Sequence, residues 1–350
     1  MPKKLKVFHG LVNYGTQAGF FAEELRKNGI DALSVSQYDP YKRKIDVELL
    51  YGGNIAEKIV KHSWNLVRRF YWFFRYNTFH FYYGSSLFPK QLDLPLYELF
   101  GKKVVHHYLG KDVMTYKESV TKYKISNMAY SSGPEKEALA KDERLKKRLA
   151  YESKFSSLQL VCSPIYLEFV PGSTLLPLAI DLSKYKYVPK KVVPDQIEIM
   201  HAPTSRANKG TQFIIEAIDR LKKHDKFNIK FTLCENISHS ELMKRYESCD
   251  IFVDQVLVGY GTAAIEAMAI GRPTISYIRK IHFNEEHFPT GIPIISANRD
   301  TIYEVLKRIL QKKEDLIEIG EESRKFVENY HDLEMLTNKL IEFYKDIHSK

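Results

Sequence analysis

Cysteine is scarce in this 350-residue chain: there are three, Cys162, Cys234 and Cys249. An odd count, with no two close in sequence, argues against a disulfide framework and supplies no zinc-ligand spacing. A reducing compartment, the cytoplasm, is the expectation. Long hydrophobic runs are missing too, and no stretch approaches the ~20 apolar residues of a membrane span. The N-terminal MPKKLKVFHG runs straight into a strand-like segment without the apolar region of a signal peptide, so export is not expected. Internal repeats and low-complexity tracts are absent. Acidic excess is also lacking: 53 Lys and Arg stand against 43 Asp and Glu, a net charge of +10. That balance favours anionic partners such as nucleotide-sugars, lipid phosphates, a membrane surface or nucleic acid, without ranking them. No nucleic-acid recognition motif accompanies it, so nucleic acid is not an expected partner.

What is present is ordinary soluble-protein hydrophobicity, 44%, in a chain too long for one typical domain and right for two. The segment 251–278, IFVDQVLVGYGTAAIEAMAIGRPTISYI, reads strand, glycine loop, helix, strand. Backbone N–H groups at the helix start, near Gly261 and Thr262, suit an anion, and Thr262 is the expected N-cap. Glu266 lies about one turn into that helix. A carboxylate there repels phosphate but accepts bonds from two ribose hydroxyls, which suits a nucleotide; the plain alternative is one solvated Glu. Upstream, 196–200 reads as a strand, 201–210 as a loop carrying Arg206 and Lys209, and 211–223 as an amphipathic helix. Cations between a strand end and a helix start suit a diphosphate, with Arg gripping oxygens in bidentate fashion and Lys adding a point charge. A polar loop is the alternative.

The N-terminal half opens in the same way. Residues 5–8 form a strand, a loop with Gly10, Gly15 and Gly19 follows, then a helix from Phe20 and a strand at 32–35, the start of a Rossmann-like unit. The glycines lack the dinucleotide spacing. Segment 101–112 is a strand whose carboxyl end gathers His106, His107, Gly110 and Asp112, and ligands bind at that end of parallel sheets. A histidine pair can bind metal, but no third ligand has recognisable spacing. In the stretch 55–83, Ile55, Ile59, Trp64, Leu66, Val67, Phe70 and Phe74 share a broad helical face, with Lys58, Lys61, Arg68, Arg69 and Arg75 beside it. An aromatic stripe is usually core, so most of these rings are expected inside the first domain. The alternative is an interfacial helix on an anionic bilayer.

Several of these motifs together resemble the GT-B glycosyltransferases, in particular the retaining family 4 (glycosyl transferases group 1). Glu266, Ala267, Met268, Ala269, Gly271 and Pro273 match that family's donor-site signature, but Val258 stands where its first Glu belongs. Lys209-Gly210 matches the diphosphate grip, with Arg206 closer to the lysine than in the common form. His107, Gly110 and Asp112 match its His-x-x-Gly-x-Asp arrangement, and Pro177, Ile180 and Asp181 match the end of its first domain. The resemblance implies an α/β fold of two Rossmann-like domains facing a cleft. Residues 1–182 would form the acceptor side, 195–332 the nucleotide-sugar domain, and 333–350 a helix crossing back to the first domain. It implies a transferase moving a sugar from a nucleotide-diphospho-sugar, with retention, to a glycan or lipid-linked acceptor in bacterial surface polysaccharide synthesis. Arg206, Lys209 and His107 would be catalytic, and Gly15, Gly261, Thr262 and Glu266 would line the nucleotide-sugar site. No metal or cofactor is implied, and the expected location is cytoplasmic, at the inner face of the membrane. A nucleotide-sugar epimerase and a catalytically inactive GT-B partner subunit stay open as alternatives.

Overall fold

The computed structural model describes residues 4–39 and 42–350. The chain forms two compact units: one from the chain up to Met114 with Glu143–Ala179 and Leu333–Lys350, the other from Thr115–Asp142 and Ile180–Asp332. Each is built on an all-parallel sheet.

The strands of unit one are β1 (Lys6–Gly10), β2 (Asp31–Ser36), β3 (Val47–Glu48), β4 (Thr78–Tyr82), β5 (Lys103–Tyr108), β6 (Leu158–Val161) and β7 (Thr174–Leu175). They run in the order β3-β2-β1-β4-β5-β6-β7. All five residues of β4, TFHFY, are buried, as in a strand covered on both faces. The first helices are α1 (Gln17–Lys27), α2 (Ile55–Arg75) and α3 (Leu94–Leu99). Because β1 and β4 are neighbours while β2 and β3 extend the sheet the other way, its topological switch point lies between β1 and β4.

Helix α2 reverses the expected packing. Asn54 caps it by accepting the Glu57 N–H at 2.9 Å. Its buried residues are Asn65, Arg69, Trp72 and Phe73, spaced as one helical stripe. The Asn65 amide is satisfied by the Leu50 carbonyl at 2.7 Å. Ile55, Ile59, Trp64, Leu66, Val67, Phe70 and Phe74 are exposed, so the face expected in the core is the outer one. Apolar residues surround this helix, so their period marks no single inner side. Two polar members, Asn65 and Arg69, disguise the true one.

The chain continues through α4 (Tyr116–Lys122), α5 (Met128–Ser131) and α6 (Glu135–Phe155), and the division between units falls within α6. This departs from a first domain of 1–182, because 115–142 belongs with unit two. Ile125 joins that unit's core, the Arg279 guanidinium donates to the Ile125 carbonyl at 2.6 Å, and it lies 4.1 Å from the Tyr123 ring centre.

Unit two contains β8 (Ile197–His201), β9 (Ile229–Leu233), β10 (Ile251–Gln255), β11 (Thr274–Ser276) and β12 (Ile295–Ser296). Their order, β12-β11-β10-β8-β9, places the switch point between β8 and β10. The helices are α7 (Arg206–Lys209), α8 (Thr211–Lys223), α9 (His239–Ser248), α10 (Thr262–Ala269), α11 (Ile302–Gln311) and α12 (Leu316–Tyr330). Ser238 caps α9 by accepting the Glu241 N–H at 3.2 Å. Ile214, Ile218 and Leu221 of α8 and Ile302, Leu306 and Ile309 of α11 enter one core with the apolar strand residues.

The last helix, α13 (Leu333–Ser349), belongs to unit one. Leu336, Leu340, Ile341 and Tyr344 pack with Val7, Phe21 and Leu25. Tyr344 also reaches the strands, its hydroxyl lying 2.6 Å from His80 Nδ1.

Candidate functional site

The strongest convergence lies at the switch point of unit two. Asp254, next to last in β10, is fully buried. Its Oδ1 pairs with the Lys209 ammonium, and its Oδ2 accepts the Gly261 N–H at 2.8 Å. The lysine side chain is only 12% exposed. Lys209 is placed by local chemistry. Ser205 opens the single turn of α7 by accepting the Asn208 N–H, and Gly210 closes it with φ +75. A Cβ at 210 would sit 2.7 Å from Val256 Cγ2, so only glycine lets this turn lie against the loop after β10. The Val256 N–H donates to the Lys209 carbonyl at 3.0 Å and fixes that approach. His201, at the end of β8, fastens the same region: Nδ1 donates to the Val253 carbonyl at 2.7 Å and Nε2 accepts the Thr211 hydroxyl at 2.9 Å. Burial holds its pKa down at about 4, so it is a neutral brace.

Helix α10 starts at this point. Gly261, not Thr262, is its N-cap, with φ −123 and ψ −171, and Thr262 is the first helical residue. The Gly261 N–H is taken by Asp254, and the Ala264 and Ile265 N–H groups return to the Gly261 carbonyl. The Thr262 and Ala263 N–H groups have no acceptor within the helix and form the anion-ready tip. One turn on, Glu266 is buried, and its Oε1 accepts the Tyr185 hydroxyl at 3.0 Å and His239 Nε2 at 3.1 Å. That contact raises the His239 pKa. Among the described residues Glu266 Oε2 takes no hydrogen bond.

Arg206 shares a turn with Lys209 but makes a two-pronged pair with Glu235 beyond β9, its side chain 58% exposed. Through Asp254 the structure thus brings Lys209 of α7 to the start of α10, which carries Gly261, Thr262 and Glu266, and leaves Arg206, at the other end of α7, held by a carboxylate. Asp254, His239, Tyr185 and Glu235 complete the arrangement. Only Asp254 left a trace in the sequence, as an acid closing an apolar strand before a glycine loop.

Gly15 and His107 belong to unit one. Gly15 lies in a tight turn after β1 with φ +54, and its carbonyl accepts the Gln17 side-chain amide at 3.0 Å. Gln17 also binds both the N–H and the carbonyl of Ala179 at 2.9 Å, tying this turn to the chain after β7. His107, expected to be catalytic, lies in β5. Its ring is fully buried within the sheet, with Nε2 3.2 Å from the Leu176 carbonyl and His80 and Tyr82 beside it. Burial lowers its pKa to about 3, which makes it a neutral structural group. Among the described residues, no group of three or more His, Cys, Asp or Glu side chains is placed to hold a metal.

Among solved structures, the fold has counterparts in a glycosyltransferase and in proteins crystallised with UDP. HepE from Anabaena, crystallised with UDP and glucose, superposes with a TM-score of 0.59 at 11% identity, over 97% of this chain and 99% of that one. A glycosyltransferase from Rickettsia africae matches with a TM-score of 0.61 at 14% identity, over 99% of each chain. MnaA from S. aureus, bound to UDP, matches with a TM-score of 0.55 at 12% identity, over 99% of this chain and 97% of that one. The fold is therefore the mixed α/β fold of these proteins, with two parallel sheets and no barrel. No family model and no curated protein sequence matches the chain.

Proposed function

We propose that this chain is a glycosyltransferase that moves a sugar from a nucleotide-diphospho-sugar to a glycan or lipid-linked acceptor, with retention, in bacterial surface-polysaccharide synthesis. The observation that carries the reading is the meeting of Lys209, the Asp254-anchored start of α10 and Glu266 at the switch point of unit two. Cleaving the sugar–phosphate bond places negative charge on the diphosphate. The Lys209 ammonium and the Thr262 and Ala263 N–H groups stabilise that charge as it grows. Arg206 exchanges Glu235 for a phosphate oxygen when the donor arrives. Glu266 Oε2 accepts the ribose hydroxyls. The donor class is supported by HepE, which has been crystallised with UDP and with UDP-glucose, and by the UDP complex of MnaA. Retention and the surface-glycan role rest on the motif resemblance.

Peripheral contact with an anionic membrane belongs to the same reading. It is supported by the exposed apolar face of α2, continued by Leu96, Leu99 and Phe100, with Lys58, Lys61 and Arg68 beside it. No helix among the described residues is long and apolar enough to cross a membrane.

Thermal shift with UDP, GDP, ADP and their sugars tests the donor site. One nucleotide family at a hundredfold excess over its Kd should stabilise the chain by about 3 kcal/mol. No stabilisation by any of them would remove the reading. One observation favours a second reading, a nucleotide-sugar-binding subunit without turnover: Val258, apolar and buried, occupies the place of the family's first Glu. Donor hydrolysis or transfer by the purified chain excludes it.

A further inference from the structure

Unit one has its own switch-point cavity, of about 570 Å3. Its walls include Leu11 after β1, Gln37 after β2 and the 83–86 turn after β4, so it opens at the carboxyl ends of the strands, where α/β sheets bind ligands. Four cations line it: Arg69 from α2, Lys90, and Lys147 and Arg148 from α6. No carboxylate stands among its described lining residues.

Arg69 is the telling residue. It is 8% exposed, and among the described residues its guanidinium donates only to the Leu87 carbonyl and the Tyr51 hydroxyl, both neutral. A buried charge without a counter-ion is costly, and an anionic ligand supplies what the fold leaves out. Neither Lys90 nor Lys147 pairs with a carboxylate among the described residues. Arg148 differs. Its Nε lies 3.3 Å from the buried Glu152, Nη2 donates to the Asp112 carbonyl, and the Gly84 turn leaves room for Nη1, which a Cβ would meet at 2.4 Å. The 84–86 turn adds neutral polar groups, and Ser85 Oγ joins the Leu11 N–H and the Gly10 carbonyl across the switch point.

We propose that this cavity binds a phosphate or diphosphate group, and that the group is the anionic head of an acceptor with an apolar tail. The tail follows from the wall. Phe88 lines the cavity and packs against Phe70 of the exposed α2 face, ring centres 5.1 Å apart and tilted, so an apolar surface leads away from the cations. Naming the ligand an acceptor rests on the transferase reading; the anion site itself does not.

The test uses the full chain and calorimetric titration with decyl phosphate below its micelle threshold, glucose 1-phosphate, decanol, and UDP as a control for unit two. Two variants are compared with the parent: Arg69→Gln, and the double change Lys90→Glu with Lys147→Glu, which alters exposed unpaired side chains and spares the core. Decyl phosphate should bind the parent and decanol should not. The double variant should weaken decyl phosphate at least about tenfold through loss of charge-assisted contacts while leaving UDP affinity unchanged. Decyl phosphate binding no better than decanol, or binding both variants as it binds the parent, overturns the site. Glucose 1-phosphate binding as tightly as decyl phosphate keeps the phosphate site and overturns the apolar tail. Decyl phosphate binding without any nucleotide binding keeps the anion site and removes its role as the acceptor site of a transferase.

Discussion

At the scale of single residues, the account turns on a lysine held by an aspartate until a diphosphate takes its place. Lys209→Ala should lower kcat/KM by about 100-fold, the usual loss for one preorganised donor at a developing oxyanion. Steady-state kinetics on the accepted donor check this. The Arg206–Glu235 pair makes a less intuitive prediction. Glu235 competes with incoming phosphate for the guanidinium, so Glu235→Gln should tighten nucleotide binding by about threefold, the modest scale of an exposed ion pair. Calorimetry showing weaker binding would reverse the role given to Arg206. Lys209 and Glu266 could be read from the chain because strand, glycine loop and helix are local patterns. Their partners could not. Asp254 is 45 residues from Lys209 and Tyr185 is 81 from Glu266, and only the fold sets such distances. His107 shows the converse limit: a polar residue at a strand's carboxyl end looks like a ligand until the sheet closes over it.

At the scale of elements, most of the strands and helices followed from apolar period and caps. Helix α8 lies where the pattern places it. Helix α2 did not yield its orientation, because Asn65 and Arg69 occupy its inner stripe while aromatic side chains cover the outer one. That outer face carries a prediction. Trp64→Glu combined with Phe74→Glu changes two exposed rings and should abolish co-flotation with anionic vesicles while leaving thermal stability within about 0.5 kcal/mol of the parent. Equal flotation of parent and variant, or no preference of the parent for anionic over zwitterionic vesicles, would remove the membrane role. The turn after α7 carries another. Gly210→Ala meets both a positive φ and the Val256 side chain, so it should destabilise unit two by about 1–3 kcal/mol and displace Lys209. Denaturant midpoints and donor turnover should fall together.

At the scale of the whole molecule, the chain carries an unusual group of buried imidazoles in unit one. Burial lowers His9 and His107 to about 3 and His106 to about 4, and His80 lies well below its ordinary value. Below pH ~6.5 the unfolded chain binds protons that the native chain refuses, so stability is full above that value and falls as the pH drops toward 3. At pH 5 each such histidine costs on the order of 1–2 kcal/mol. Asp112, raised to about 6 by burial, acts in the opposite sense, but it is one carboxyl against four imidazoles. Scanning calorimetry should show Tm dropping steeply between pH 7 and pH 5, and a flat profile would contradict these buried neutral rings. The parallel sheets were legible from the alternation of apolar runs and helices. The assignment of 115–142 to unit two was not, because it depends on contacts such as that of Arg279 with Ile125, 154 residues apart. The most direct measurement of the central claim is calorimetric titration of UDP, GDP and ADP into the parent chain and into Lys209→Ala. The account predicts that one nucleotide binds the parent and binds the variant at least about tenfold more weakly, as expected on removing a charge-assisted phosphate contact. Equal affinity in the two proteins would contradict it.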